Sequence, residues 1–205
     1  MKRILATLAS LLVMSSAIAQ EVAPDALVKG VTDDVLAIVR ADKDIQSGNT
    51  HKAVALAEAK VLPHFNFPHM TALAVGKEWR QTTPAQQKSL IDEFRTLLVR
   101  TYSKALTEYR SQTIDFKPLK MAASDTEAVV RSVVNQPGSK PVQIDYNLER
   151  TEQGWKVYDI SVAGISLVTN YRSSFAQEVS AKGIDGLIQT LRAKNNDKDA
   201  AGAAK

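Results

Sequence analysis

The sequence contains no cysteine among its 205 residues. This absence excludes disulfide scaffolds, thiol catalysis, zinc ribbons, iron–sulfur clusters and a lipid-modified N-terminal cysteine. The remaining composition is that of an ordinary globular protein, with 44% hydrophobic, 23% charged and 6% aromatic residues. The chain is therefore long and apolar enough for one domain of fair size or two small ones.

Motifs of the common nucleotide-binding and hydrolytic enzymes are also missing. The sequence has no G-x-G-x-x-G, no P-loop, no G-x-S-x-G and no H-E-x-x-H. The nearest serine context, around Ser166, lacks the second glycine of a nucleophile elbow. His64 and His69 are five residues apart and have no carboxylate close by in the sequence, which favours structural or surface roles over a metal site.

Two aspartates on predicted strands are the remaining candidates for catalysis. Asp145 and Asp159 could face a cavity, where burial would raise the pKa of a carboxyl group toward acid–base use. A solvated strand face, or an ion pair with a nearby Arg or Lys, is the simpler interpretation of the same two residues. A small enzyme on a cone-like fold, such as an isomerase or dehydratase, stays open as an alternative function.

The first nineteen residues have the pattern of a cleaved secretory signal peptide. Lys2 and Arg3 precede an apolar run at residues 4–13, and residues 17–19 read Ala-Ile-Ala, so cleavage is expected before Gln20. The run is too short to cross a membrane, which needs about 20 apolar residues. Cleavage would lower the formal net charge from +4 to +2, which makes nucleic acid an improbable partner.

Helical patterns occupy the first half of the remaining chain. Apolar residues at helical spacing follow Pro24, and a second helix is expected from about residue 50 to residue 61, before Leu62-Pro63. Thr83, Pro84 and Gln86 supply a cap, an N1 proline and a capping box. This last pattern predicts a helix of about seven turns that continues to Tyr109.

The hydrophobic period then changes from 3.6 to 2, which indicates strands. Strands are expected near Ile114, at residues 128–134, at residues 142–148 and at residues 155–162, separated by short turns. Such tight connections are typical of an antiparallel meander. After Gly164 the helical period returns, and from Asn195 onward the chain is polar. The order of helices, strands and helices predicts an α+β fold with a sheet of about four antiparallel strands.

Two blocks of this sequence resemble the MlaC family, also called the toluene-tolerance auxiliary proteins. The first block, at residues 70–79, reads MTALAVGKEW and is followed by the Thr83 capping box. The second, at residues 155–175, reads WKVYDISVAGISLVTNYRSSF, and GIDGLI at residues 183–188 continues it. With the signal peptide and the length, the resemblance covers about residues 23–195.

The resemblance implies a single domain at residues 20–195, and the polar composition from Asn195 onward predicts a disordered tail at residues 196–205. It implies a curved antiparallel sheet wrapped by helices, a cone similar to nuclear-transport-factor-like folds, with an internal apolar cavity. The implied function is a periplasmic phospholipid carrier, not an enzyme, that maintains outer-membrane lipid asymmetry with no cofactor besides its cargo. The implied partners are diacyl phospholipid, an outer-membrane lipoprotein–porin complex and an inner-membrane ABC transporter with a hexameric substrate-binding ring.

The apolar pattern itself provides candidate positions for contact with lipid tails. The long helix, the central strands and the segment after Gly164 present apolar faces that can oppose one another. The candidate tail contacts are Phe94, Leu98, Tyr102, Val130, Val134, Ile144, Tyr146, Val157, Ile165, Val168, Tyr171 and Phe175. Arg172 is the candidate contact for a lipid phosphate, because a guanidinium is a charge-assisted donor. A periplasmic chaperone or adaptor with a filled core is a further alternative.

Overall fold

A computed structural model describes residues 22–197. The predicted signal peptide and most of the predicted polar tail lie outside these residues. Within these residues, seven α-helices and five strands follow in the order α1–α6, β1–β5, α7. The α-helices are α1 Pro24–Ala41, α2 Lys43–Gln46, α3 Thr50–Lys60, α4 Phe67–Val75, α5 Pro84–Tyr102, α6 Lys104–Thr107 and α7 Arg172–Asn196. The strands are β1 Thr113–Phe116, β2 Glu127–Asn135, β3 Val142–Thr151, β4 Gly154–Val162 and β5 Ile165–Ser166.

The strands form one open, curled antiparallel sheet in the order β1-β2-β3-β4-β5. Each strand pairs with the next along the chain, which confirms the predicted meander and the α+β class. The sheet has one strand more than expected, because the two residues of β5 pair with the end of β4. Within residues 22–197 no helix is long and apolar enough to cross a membrane.

Strand β4 contains a β-bulge at Tyr158. Asn147 of β3 pairs with Asp159, and the next residue, Leu148, pairs with Val157, so Tyr158 has no partner of its own. A bulge places one extra residue on one side of the pleat and increases the local twist. Val157 and Ile160 therefore share one face of the sheet, which we call the concave face, while Tyr158 and Asp159 share the opposite, convex face.

Helix caps explain where α4 and α5 begin. The Thr83 hydroxyl accepts a hydrogen bond from the Gln86 backbone N–H, and the Gln86 side chain accepts one from the Thr83 N–H, as the capping box predicted. Asn66 caps α4 by accepting from the His69 N–H at 3.1 Å. Both helices thereby start at defined positions relative to the sheet.

Helix α5 is shorter than its sequence pattern predicts. It ends at Tyr102, and after Ser103 the chain continues as the single-turn helix α6. The prediction of one helix to Tyr109 was therefore wrong. The Tyr109 ring instead packs in a cluster with Val35 and Val39 of α1, and its hydroxyl contacts Arg40. Burial of this aromatic ring against α1 requires the chain to leave the α5 axis.

The buried side chains form a helical core and a sheet core. The helical core joins α4, α5 and α7, and its centre contains Leu90, Phe94 and Leu187. The sheet core lies between α1 and the concave face, and it contains Val28, Val130, Leu148, Trp155 and Val157 with smaller neighbours. A left-handed backbone at Gly183 (φ 72°) bends α7.

Replacement of Phe94 tests the helical core. Because the Phe94 ring is fully buried, Phe94→Ala should lower the free energy of unfolding by about 3–5 kcal/mol in urea titrations. Ile165→Ala is the control, since Ile165 is 62% exposed and should change stability by less than about 0.5 kcal/mol. Equal effects of the two substitutions would contradict the assignment of Phe94 to the core.

Candidate functional site

An apolar pocket of about 190 Å³ lies between the helices and the concave face of the sheet. Helices α3, α4 and α5 and the segments after α3 and β5 surround it. Its lining contains Ala57, Val61, Leu62, Phe65, Phe67, Met70, Leu98, Val99, Tyr102, Ser103, Leu106, Ile160, Leu167 and Val168. None of these fourteen side chains carries a formal charge at neutral pH, and burial raises the pKa of the Tyr102 phenol further above its ordinary value. The pocket is therefore suited to hydrocarbon.

The pocket is located where the helical core meets the sheet core. Phe65 packs against both cores, and its backbone forms a parallel bridge with Val157 of β4. Ile160 packs against the sheet core and also lines the pocket. Hydrocarbon in the pocket would thus contact helices on one side and the sheet on the other.

Three of the predicted tail contacts line this pocket, and three others support it from behind. Leu98, Tyr102 and Val168 are among the lining residues. The rings of Phe94, Tyr171 and Phe175 form an aromatic cluster in the helical core, with centroids 5.3 to 5.5 Å apart. The edge-to-face contacts of Phe94 with Tyr171 and Phe175 hold α5 and the start of α7 together.

The predicted strand positions lie on the concave face, outside the pocket lining. Val130 and Val157 are buried in the sheet core, and Tyr146 packs partly buried against it. Val134 and Ile144 are half-buried farther along the same face, toward the hairpin that joins β2 and β3. Ile165 lies at the sheet edge and is largely exposed.

Arg172 begins α7 and contacts the end of α4. Its Nε and Nη2 donate hydrogen bonds to the Leu73 carbonyl at 2.9 and 2.7 Å. The side chain is exposed, and these two bonds use two of the five N–H groups of the guanidinium. Arg172 therefore joins α7 to α4, and the bonds to Leu73 leave three N–H groups of the guanidinium for other acceptors.

Sequence reasoning did not assign the α3 and α4 side of the pocket. Phe65, Phe67 and Met70 form a short apolar segment whose spacing keeps neither a helical nor a strand period throughout. The sequence does contain a signal for this side of the pocket: the proline stop at Leu62-Pro63 is followed by three large apolar residues within the next seven positions. Such a stop brings two apolar segments to one corner, which here forms the pocket wall.

Asp145 and Asp159, the two aspartates considered for catalysis, lie on the convex face and contact neighbouring polar side chains there. Asp159 is 8% exposed and accepts a hydrogen bond from the Ser166 hydroxyl at 2.8 Å. The Ser166 oxygen in turn accepts from the backbone N–H groups of Val168 and Thr169. Burial raises the pKa of Asp159, and the bond from Ser166 opposes that rise. Asp145 contacts Gln143 and is within 4.0 Å of Arg131.

His64 and His69 lie beside the pocket wall. Burial, with a smaller effect of Lys156, lowers the pKa of His64. The His69 Nδ1 atom is 2.8 Å from Glu149 Oε1, and its ring stacks on Tyr158. Across residues 22–197, no group of three or more His, Asp and Glu side chains could hold a metal ion.

Comparison with known proteins places this arrangement in one family. The family model described as MlaC protein matches residues 29–193. The chain is 23% identical over 188 residues to the intermembrane phospholipid transport system binding protein MlaC of Haemophilus influenzae, covering 90% of this chain and 87% of that protein. It is 27% identical over 164 residues to the toluene tolerance protein ttg2D of Pseudomonas putida, covering 79% of this chain and 75% of that protein.

A solved structure has the same fold. The phospholipid-binding protein from Ralstonia solanacearum, determined in complex with a phospholipid, is 44% identical to this chain with a TM-score of 0.77. The match covers 83% of this chain and 96% of that one. The chain belongs to the MlaC family, which confirms the resemblance found in the sequence.

The buried carboxyl group of Asp159 should make stability depend on pH. Its pKa in the folded state is raised above the unfolded value, so the folded protein holds this proton to higher pH. The associated stability is present below the unfolded pKa and is lost as pH rises through the folded pKa. Relative to Asp159→Asn, the wild-type free energy of unfolding should fall across this window in denaturant titrations at a series of pH values.

The Ser166→Ala variant tests the same pH dependence of the free energy of unfolding. Ser166→Ala removes a hydrogen bond that favours the carboxylate, so the window should widen toward higher pH. Parallel pH profiles for the wild type and Asp159→Asn would show that Asp159 is not the titrating group.

Proposed function

We propose that this protein is a periplasmic phospholipid carrier that binds acyl chains in the pocket between α4, α5 and the concave face of the sheet. The observation that carries the proposal is the uncharged, almost wholly apolar lining of that pocket. The relative from Ralstonia solanacearum, which is 44% identical, was solved with a phospholipid. The relative from Haemophilus influenzae is named for intermembrane phospholipid transport.

The pocket must widen to accept a diacyl lipid. A cavity of about 150 Å³ holds one benzene ring, and two acyl chains need several times that space. At about 190 Å³ the pocket holds only part of one chain. We propose that the chains extend from Leu98, Tyr102 and Val168 along the concave face over Tyr146 and Ile144, with the other predicted tail contacts supporting this path.

The headgroup would then remain at the opening, close to solvent. Arg172 is the proposed contact for the lipid phosphate, because three of its N–H groups are not used by Leu73 and its side chain is exposed. A guanidinium binds phosphate oxygens through paired, charge-assisted hydrogen bonds.

The free energy of acyl-chain transfer is compatible with a shuttle between two membranes. Acyl chains that leave water gain about 0.8 kcal/mol per CH₂, but chains that leave a bilayer for an apolar pocket gain almost nothing. Loading and unloading at membrane complexes are therefore close to neutral and reversible. We propose the partners implied by the family: an outer-membrane lipoprotein–porin complex and a substrate-binding hexamer on an inner-membrane ABC transporter.

We propose no catalytic role for the two aspartates. Asp159 is buried with a raised pKa, but its carboxylate is bound to Ser166 on the convex face and is not part of the pocket lining. The alternative of an adaptor with a filled core is disfavoured by the pocket itself, whose apolar lining lies between the helical core and the sheet core.

Organic extraction followed by mass spectrometry tests the proposal. Protein purified from the periplasm without added lipid should contain diacyl phospholipid at a substantial fraction of one molecule per chain. A well-folded sample with less than about a tenth of a lipid per chain would refute the carrier function.

Two substitutions at Leu98 locate the bound chains in the same assay. Leu98→Glu should remove the lipid, because its carboxylate must stay charged in hydrocarbon or take up a proton at a cost of a few kcal/mol. Leu98→Ala should retain lipid, since flexible chains occupy the added space. If Leu98→Glu folds and keeps full lipid occupancy, the chains lie elsewhere.

A further inference from the structure

One wall of the pocket is a short segment with two chemically different faces. Residues 65–70, the 65–70 wall, direct the apolar side chains of Phe65, Phe67 and Met70 into the pocket lining. The intervening side chains of Asn66 and His69 contact the sheet instead. The same six residues thus enclose the pocket and attach it to the sheet.

The side-chain attachment converges on one oxygen atom. Asn66 Nδ2 donates to Glu149 Oε1 at 2.7 Å, and His69 Nδ1 is 2.8 Å from the same atom. The His69 ring also stacks on Tyr158, with centroids 4.5 Å apart. A backbone hydrogen bond from the Asn66 N–H to the Val157 carbonyl, at 2.8 Å, completes the attachment. Removal of one carboxylate therefore removes both side-chain hydrogen bonds at once.

These contacts can be broken at little cost. The side chains of His69 and Glu149 are 31% and 22% exposed, so water can replace each partner when they separate. The contacts of the wall with the helices are apolar instead, since Phe67 and Met70 are buried in the same core as Leu90 and Phe94 of α5. When the pocket widens, the 65–70 wall can leave the sheet by breaking these polar contacts and the contact of Phe65 with the sheet core, while Phe67 and Met70 stay packed in the helical core.

We propose that Glu149 is a positioning residue that holds the 65–70 wall against the sheet and thereby sets the rate of lipid exchange. The inference rests on the proposed function, because exchange requires that lipid occupies the pocket. It goes beyond that function by assigning the moving wall and the side chain that restrains it. Lipid enters and leaves when Asn66 and His69 separate from Glu149 Oε1, and the wall closes when both bonds form again.

Release of a pyrene-labelled phosphatidylcholine from the full protein to phosphatidylcholine vesicles tests this role. Glu149→Ala should release the probe about tenfold faster than the wild type, because both side-chain bonds of the wall are lost. Glu149→Gln keeps a carbonyl oxygen for the same donors and should remain within about threefold of the wild type.

Glu127→Ala is the matched control. Glu127 lies directly opposite Glu149 on β2, is exposed and faces the same side of the sheet. The Glu127→Ala substitution removes the same charge from the same face but leaves the 65–70 wall attached. The Glu127→Ala protein should therefore release the probe at the rate of the wild type. Equal rates for Glu149→Ala and Glu127→Ala would overturn the proposal. So would a Glu149→Ala protein with a lower melting temperature but wild-type release, since that result indicates a purely structural role.

A covalent connection tests the opposite direction. Because the chain has no native cysteine, the double variant His69→Cys/Glu149→Cys can be joined specifically with a short bis-maleimide. The joined protein should release the probe at least about tenfold more slowly than the same variant before joining. An unchanged rate would overturn the proposal even if Glu149→Ala failed to fold. A wild-type protein that takes up no probe would overturn the proposed function itself, and this inference with it.

Discussion

The bulge at Tyr158 is the constraint on which the functional half of this molecule depends. Without it, strict alternation along β4 would put Ile160 on the face opposite Val157. With the extra residue, Val157 and Ile160 both face the helices, one in the sheet core and the other in the pocket lining. The concave face thus stays apolar along β4.

The same bulge supplies the polar contacts on the other side. Tyr158 and Asp159 both face the convex side, where Tyr158 stacks on His69 and Asp159 accepts from Ser166. The first contact borders the 65–70 wall. The second holds the turn that brings Val168 into the pocket. One inserted residue therefore fixes two segments that enclose the pocket.

The local rules of helices and strands made much of the fold predictable from the sequence. The capping box at Thr83, the proline stop at Leu62-Pro63 and the alternation at residues 142–148 lie within single elements, where the signal and the structure are local. Helix α5 shows the limit, because its early end depends on Tyr109 packing against α1, about seventy residues earlier. The two-residue strand β5 is too short to produce a period.

The candidate site was predictable only in part for a related physical reason. Leu98 and Tyr102 were recognised because they lie on an apolar helix face that continues over several turns, and Val168 because it belongs to the apolar segment after Gly164. Phe65, Phe67 and Met70 were not assigned, because their role depends on the bridge between Phe65 and Val157 rather than on any period. The attachment of Asn66 and His69 to Glu149 joins residues about eighty positions apart, which no local pattern reports.

The central claim is that lipid tails occupy the space between the 65–70 wall, α5 and the concave face. The most direct measurement is photolabelling with a phospholipid that carries a diazirine near the end of one acyl chain, followed by peptide mass spectrometry. The account predicts labelled residues among Phe67, Met70, Leu98 and Ile160, which line the pocket. Labels confined to the convex face around Glu127 would contradict it.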